Sequence, residues 1–295
     1  MKNKFIKSTI ILLIGGLLTK VLGMIITERC NLSCEHCLRG ECSCKTMSDE
    51  VVEATLSQFD YIQTLSICGG EVTLAEDVIE KIINYIIEKN IVVGEITYTL
   101  NGTIYSENFL ELLSYSNQYL INDGDKENRT SFAISWDAFH HNEVKRLGME
   151  DEYVDNVKRY AESSFYYGLR GLDKKLFREG RAENLPIELT VPLRPMNYYM
   201  TYYTKCRNKL GILKSVFDRE QGSCIMGPII TVNPDGIVTE CDASIEHQRT
   251  LYNYGNVLEE SIEDILLRRS IILTKPKEIN KRMFKELKRY TTYNK

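Results

Sequence analysis

Cys30, Cys34 and Cys37 stand at C-x3-C-x2-C spacing in the string Glu28-Arg29-Cys30-Asn31-Leu32-Ser33-Cys34-Glu35-His36-Cys37. Clustered thiolates are soft ligands suited to iron–sulfur clusters or zinc. A four-iron cubane normally takes four cysteines, one per iron. Three leave one iron open, and an open metal position is where a substrate or cosubstrate can coordinate. A zinc knuckle or a redox thiol pair is the competing reading, but structural zinc sites bring a second C-x2-C or C/H pair, and no second pair with that spacing is obvious here. Further along, Gly69-Gly70-Glu71 sets a carboxylate behind two residues that permit close backbone approach. Asn101-Gly102-Thr103, Ser135 and Asp137 add polar groups at intervals that follow apolar runs.

The cysteine string follows Met24-Ile25-Ile26-Thr27 and resembles the signature of the radical S-adenosylmethionine (radical SAM) enzymes. The resemblance implies that Cys30, Cys34 and Cys37 each ligate one iron of a [4Fe–4S] cluster, with S-adenosylmethionine chelating the fourth. His36 occupies the place where that family often has an aromatic packed beside the adenine; a solvated loop residue is the alternative. Gly69-Gly70-Glu71 resembles the family's GGE motif, in which Glu71 accepts from the methionine ammonium through a charge-assisted bond. Val72 replaces the usual proline, and Cys68 reads as a buried small residue. Leu100-Asn101-Gly102 stands where the family often has Thr-Asn-Gly. By the same resemblance Ser135 and Asp137 contact the ribose or methionine part, and Arg194 offers its planar fork to the cosubstrate carboxylate. An Asn-Gly turn at Asn101 and a helix-capping role for Asp137 are the plainer alternatives. His140 and His141 read as loop or substrate-side groups rather than ligands, and no catalytic acid is identified.

A second resemblance lies in the last third. Cys224, Gly236 and Cys241 bracket a hairpin, and Tyr254-Gly255-Asn256-Val257 follows, similar to the opening of the SPASM or twitch extension of peptide-modifying members. No cysteine lies beyond Cys241, which excludes a full two-cluster SPASM domain. With Cys206 there are three candidate ligands, enough for one open auxiliary cluster or for none. Cys42 and Cys44 read as an incidental thiol pair.

Positioning these groups requires alternating elements. Met24–Glu28 reads as a first strand, then Ser48–Phe59 as a helix capped by Ser48. Thr64–Cys68, Val92–Leu100 and Ser131–Asp137 follow as strands, with helices over Glu76–Lys89, Glu107–Ser114 and Tyr153–Tyr166. Ile187–Arg194 reads as the fifth strand, Ile229–Val232 with Val238–Cys241 as a hairpin, and Ser261–Arg268 and Lys277–Tyr290 as helices. Along the fourth strand, Phe132, Ile134 and Trp136 should face the helices, and Ala133, Ser135 and Asp137 the axis. Alternation of this kind implies an α/β fold with a parallel sheet; the resemblance makes it a partial (β/α)6 TIM-type barrel with a small C-terminal hairpin and helical extension. Sites in such folds gather at the C-terminal ends of the strands, where the special residues fall.

The chain has 295 residues and a formal charge of −4, which gives no general attraction to nucleic acid. Its nine cysteines are odd in number, and the cluster needs reduced thiolates, so a cytoplasmic setting is expected. Lys2, Lys4 and Lys7 precede an apolar run over Thr9–Thr19 that Lys20 interrupts, a pattern shared with signal peptides and short anchors but too brief to span a bilayer. The expected division is therefore 1–23, an upstream extension or weak membrane anchor with Met24 as the natural start; 24–200, the core barrel; and 201–295, the SPASM-like segment and a basic helix. Residues 268–295 hold ten basic and two acidic side chains, read as a solvated face. The family resemblance implies an enzyme that cleaves S-adenosylmethionine reductively to a 5′-deoxyadenosyl radical, which abstracts hydrogen from a substrate. An electron donor such as a flavodoxin or ferredoxin is implied as partner. A peptide or protein side chain is the favoured target, as for a peptide maturase. A small metabolite or nucleoside is the alternative substrate, and a non-catalytic iron–sulfur protein the alternative class.

Overall fold

The computed structural model describes residues 17–121, 127–172, 176–192, 199–205, 213–218, 229–239 and 243–269. Arg194, Cys206, Cys224, Cys241, residues 1–16 and the helix expected over Lys277–Tyr290 lie outside the described residues.

A long apolar run can be a membrane anchor or a strand buried on both faces, and here its second half is a strand. β1 spans Leu17–Ile25, and Leu22, Met24 and Ile25 are fully buried. The strand expected at Met24 thus begins at Leu17, and the boundary expected after residue 23 falls inside it. A start at Met24 would remove most of a strand that pairs on both sides. No helix among the described residues is long and apolar enough to cross a membrane.

α1 (Asp49–Leu56) follows, its first turn closed by Ser48 Oγ, which accepts from the Val51 amide. β2 (Phe59–Cys68) lies parallel to β1. α2 (Glu76–Lys89) buries Val78, Ile79, Ile82, Ile83 and Ile86, one stripe at helical spacing. It stops at Asn90, whose left-handed backbone (φ 55°) caps it. β3 (Val92–Leu100), α3 (Glu107–Leu120) and β4 (Thr130–Ser135) repeat the pattern. On β4, Phe132 and Ile134 are buried while Ser131, Ala133 and Ser135 are half-buried, the alternation the sequence predicts.

Two helices then stand where one was expected. α4 (Ala138–Arg146) starts directly behind Asp137, and α5 (Glu150–Ala161) packs Tyr153, Val157 and Tyr160 into the core. The fifth parallel strand is β5, Tyr166–Arg170, and not Ile187–Arg194. In the expected place, Ile187–Leu189 forms a single 3-10 turn after Pro186, leaving the two-residue β7 (Thr190–Val191) beside β6 (Leu176–Phe177). Pro186 fixes its own backbone at the start of that turn and gives no amide to a ladder.

β8 (Tyr199–Lys205) and β9 (Leu213–Asp218) form an antiparallel pair, so the boundary expected after residue 200 falls within β8. β10 (Ile229–Val232) and β11 (Ile237–Thr239) form the hairpin the sequence predicts. α6 (Ile245–Arg249), β12 (Gly255–Asn256) and α7 (Ile262–Arg269) complete the described chain. The sheet has eight strands in the order β12-β11-β10-β1-β2-β3-β4-β5. From β10 to β5 all neighbours are parallel. The hairpin is therefore more than an appendage: its first strand is the sixth parallel strand, docked on β1. The result is a mixed α/β fold built on a mostly parallel, unclosed sheet, as a partial TIM-type barrel requires.

Candidate functional site

The chain leaves β1 at Ile25, makes the cysteine loop and returns alongside its own start. The Glu28 amide donates to the Lys45 carbonyl and the Met47 amide to Ile26. The loop then lies directly across the end of β2. Gly70 N–H donates to Thr27 O at 2.8 Å, and Glu71 N–H to Arg29 O at 2.7 Å. A methyl group on Gly69 would sit 2.7 Å from Thr27 O, and one on Gly70 only 2.2 Å from Arg29 O. The two glycines are needed because another backbone occupies the space of their side chains.

Glu71 is 1% exposed and its carboxylate is fully engaged. Oε1 accepts from the Thr73 amide at 3.1 Å and its hydroxyl at 2.8 Å; Oε2 accepts from the Asn101 amide at 2.6 Å. Burial holds its pKa above the ordinary carboxylate value. The Asn101 side chain continues the network. Its Nδ2 donates to Asn31 Oδ1 at 2.8 Å, and its Oδ1 accepts from the Thr103 amide and hydroxyl. Asn31 in turn donates to Thr103 Oγ1 at 2.8 Å. These bonds fasten the cysteine loop to the ends of β2 and β3. Asn31 carries no spacing signal in the sequence, and Thr103 stands there only as the end of Asn101-Gly102-Thr103.

The opposite side is formed by α4. Asp137 caps it, accepting from the Phe139 and His140 amides at 2.9 and 3.1 Å, and its Oδ2 lies 2.6 Å from His140 Nδ1. Burial raises the Asp137 pKa, but the His140 contact and the more distant His36 overcome it and hold the carboxyl below its usual range. Asp137 thus caps α4. His36 stacks on Phe139, with ring centroids 4.8 Å apart, and meets His140 edge-on. It is not a solvated loop residue: its side chain is 11% exposed, and burial lowers its pKa to about 4. Its Nδ1 is buried without a hydrogen-bond partner. His140 is a helix residue, not a loop one, and the Asp137-x-x-His140 spacing was the signal that would have paired it with the capping acid.

The cysteine loop is held from two further directions. The Ser33 amide donates to Glu143 Oε1 on α4 at 2.8 Å, while Arg181 Nε donates to Cys34 O at 2.9 Å and the Arg181 amide to Cys37 O at 3.0 Å. Behind it, the Ile245 amide donates to Arg39 O, and Arg249 bridges the buried Glu28 and Asp235. Ser135 keeps its side chain on the half-buried face and accepts at its carbonyl from Tyr153 Oη at 2.6 Å. Cys68 is half-buried rather than buried, and Cys42 and Cys44 are exposed free thiols. The arginine at the end of the observed fifth strand is Arg170, whose Nη1 donates to Thr99 on β3 at 3.3 Å.

The donor set fits a cationic cluster. Burial, with the neighbouring Glu71 and thiols Cys42 and Cys37 adding to it, pushes the Cys30 pKa up to about 12, against one bond from the Leu32 amide. Burial and the nearby Cys30 and Cys37 thiols push Cys34 to about 12 as well. Cys30 and Cys34, each raised in part by the neighbouring thiols, would need positive charge beside them to ionise, which the iron of a [4Fe–4S] cluster would supply.

A sequence profile described as the Radical SAM superfamily matches residues 24–179. No curated protein matches the chain. Among solved structures, native anSMEcpe with bound AdoMet and Cp18Cys peptide is 15% identical, with a TM-score of 0.47, covering 84% of this chain and 80% of that one. SuiB of Streptococcus suis bound to S-adenosylmethionine is 11% identical, with a TM-score of 0.43, covering 84% of this chain and 65% of that one.

Proposed function

Because this chain belongs to the radical SAM superfamily, we propose that Cys30, Cys34 and Cys37 ligate three irons of its [4Fe–4S] cluster and that the fourth takes S-adenosylmethionine. The observation that carries the assignment is the loop itself: three mutually close thiols, folded over Gly69-Gly70 and anchored at both ends. When bound, the reduced cluster supplies one electron for cleavage of S-adenosylmethionine to methionine and the radical that abstracts substrate hydrogen. The residues of the chain do the rest. Asn31, Asn101, Thr103 and Glu71 fix the loop to the ends of β2 and β3. Glu71 acts through that network; with both oxygens already accepting, its part in holding the methionine ammonium is secondary to its part in holding Asn101. His36 and Phe139 offer a stacked aromatic surface for the adenine. Ser135 and Asp137 border the ribose side, and Arg170, which closes the strand that joins the sheet, is a described arginine that can meet a carboxylate.

The finer reading is a peptide or protein side chain as substrate, in a reducing compartment with a flavodoxin- or ferredoxin-type donor. It rests on the likeness of residues 224–262 to the hairpin region of peptide-modifying members. The test is anaerobic reconstitution with iron and sulfide, followed by dithionite and S-adenosylmethionine. Formation of 5′-deoxyadenosine in the wild type and its loss in Cys34→Ala are expected; an intact cluster that yields none would make the chain a non-catalytic iron–sulfur protein. Stimulation by a precursor peptide encoded nearby, but not by nucleosides, supports the substrate class, and the reverse pattern sinks it.

A further inference from the structure

The thiol of Cys34 has neighbours other than the two cysteines of its own motif. Cys34 Sγ and a ring nitrogen from each of His36 and His140 all lie within 4.8 Å of one another. A sulfur and two imidazoles are a zinc donor set. Zinc holds such ligands at about 2.0–2.3 Å in a tetrahedron, which places neighbouring donor atoms roughly 3.3–3.8 Å apart. Closing from 4.8 Å needs a shift of up to about 1.5 Å per pair, within reach of side-chain rotation on a loop and a helix end.

Two other observations point to a cation. His36 carries a buried Nδ1 with no hydrogen-bond partner, a lone pair or N–H that the fold leaves unused. His140 is oriented by the Asp137 carboxylate at 2.6 Å from its Nδ1. Neutral imidazole that gives its Nδ1–H to a carboxylate presents Nε2 as the basic atom, and this carboxylate–histidine pairing is the usual support behind a metal-bound histidine. Asp137 Oδ2 also lies 3.7 Å from His36 Nε2, near the ring but beyond hydrogen-bonding distance.

We propose that the chain, before it acquires its cluster, binds a zinc-type divalent cation through Cys34, His36 and His140, with Asp137 as outer support. Cys34 belongs to both donor sets, so the cation and the cluster exclude one another. The exclusion rests on the cluster assignment above; the cation site does not. The site gives the empty loop a defined, closed state in which one cluster thiol is masked, and makes cluster assembly sensitive to the zinc level.

The test uses full-length protein purified anaerobically without iron, titrated with cobalt(II) as a spectroscopic stand-in for zinc. A single equivalent should bind with a sulfur-to-cobalt charge-transfer band and tetrahedral visible bands, and zinc should displace it. Cys34→Ser should abolish the charge-transfer band. His140→Ala should weaken binding at least tenfold, and Asp137→Asn, which keeps a capping oxygen, about tenfold to a hundredfold. His141→Ala and Cys30→Ser should bind as the wild type. Equal binding by His140→Ala, or loss in Cys30→Ser with circular dichroism unchanged, would place the cation among the three cysteines and overturn the site. Pre-loading with zinc should then slow cluster assembly several-fold in the wild type and not in His140→Ala. Cobalt binding in the predicted pattern with no zinc effect on assembly overturns the exclusion alone, whereas failure of any cluster to form in zinc-free protein counts against the cluster assignment.

Discussion

The two walls of the site face one another across the cysteine loop and handle their polar groups in opposite ways. The wall made by the ends of β2 and β3 is saturated: every oxygen of Glu71 and the whole amide of Asn101 are committed to neighbours in the chain. The wall made by α4 and the turn of His36 is aromatic and incomplete, with three rings packed together and a buried nitrogen that meets nothing. A saturated network rigidifies what it holds. An incomplete one has bonding capacity left for something else. The first wall fixes the loop; the second is where a ligand finds partners.

If that division is right, damage to the first wall should appear as lost stability, and damage to the second as lost binding. The largest effect is expected for Gly70→Ala, whose methyl would lie 2.2 Å from Arg29 O and 2.9 Å from Cys30 Cβ. Backbone cannot yield as a side chain does, so the cost should reach or exceed about 3 kcal/mol. Urea unfolding and the iron-to-protein ratio after reconstitution both report it; an unchanged midpoint would mean that the loop does not rest on β2. Glu71→Ala comes next. It leaves the Asn101 amide and the Thr73 donors unpaired, at about 1–3 kcal/mol, whereas Glu71→Gln keeps one accepting oxygen but turns an NH2 toward the other donors, and should recover only part of that loss. Equal stability of Glu71→Gln and the wild type would show that one of the two acceptors is dispensable. On the second wall His36→Ala should leave the urea midpoint almost unmoved and weaken S-adenosylmethionine binding to cluster-loaded protein about three- to tenfold, the worth of one aromatic contact. A destabilised His36→Ala with normal binding would reverse the contrast.

The smallest effect concerns the ion pairs behind the loop. Burial opposes ionisation of Asp235, but Lys45 and Arg249, 2.6 and 2.7 Å away, hold its pKa below 3.8. A carboxyl whose folded pKa is depressed contributes fully above its unfolded value and loses that contribution as pH falls through the folded one. The wild type should therefore lose up to about 0.5 kcal/mol more than Asp235→Asn when pH is lowered from 5 to below 3.8. Parallel curves for the two proteins would show that these surface-facing pairs contribute nothing.

Much of this was legible along the chain, for definable reasons. Glu76–Lys89 and Val92–Leu100 were readable to the residue, because a helical stripe of isoleucines and a strict alternation each admit one period. The cysteine loop and Gly69-Gly70-Glu71 were readable because their chemistry depends on residue type at close spacing. The first strand, expected at Met24, begins at Leu17, because the residues before it have the composition of an extension or weak anchor and a strand buried on both faces shares that composition. The fifth strand is hard to place from sequence because Tyr166–Arg170 carries three exposed residues and a glycine, while Ile187 and Leu189 are apolar but remain exposed.

The sequence by itself determined the ligand chemistry, the order of most elements and the strand ends at which the site had to lie, all of which follow from local residue type and period. Only the tertiary structure decided that Glu71 serves Asn101, that Ile229–Val232 supplies the sixth parallel strand, and that His36, Asp137 and His140 form one cluster. The physical reason is range. A hydrogen bond or a ring contact acts over a few ångströms of space, and residues separated by a hundred positions become neighbours only once the sheet has brought their strand ends together.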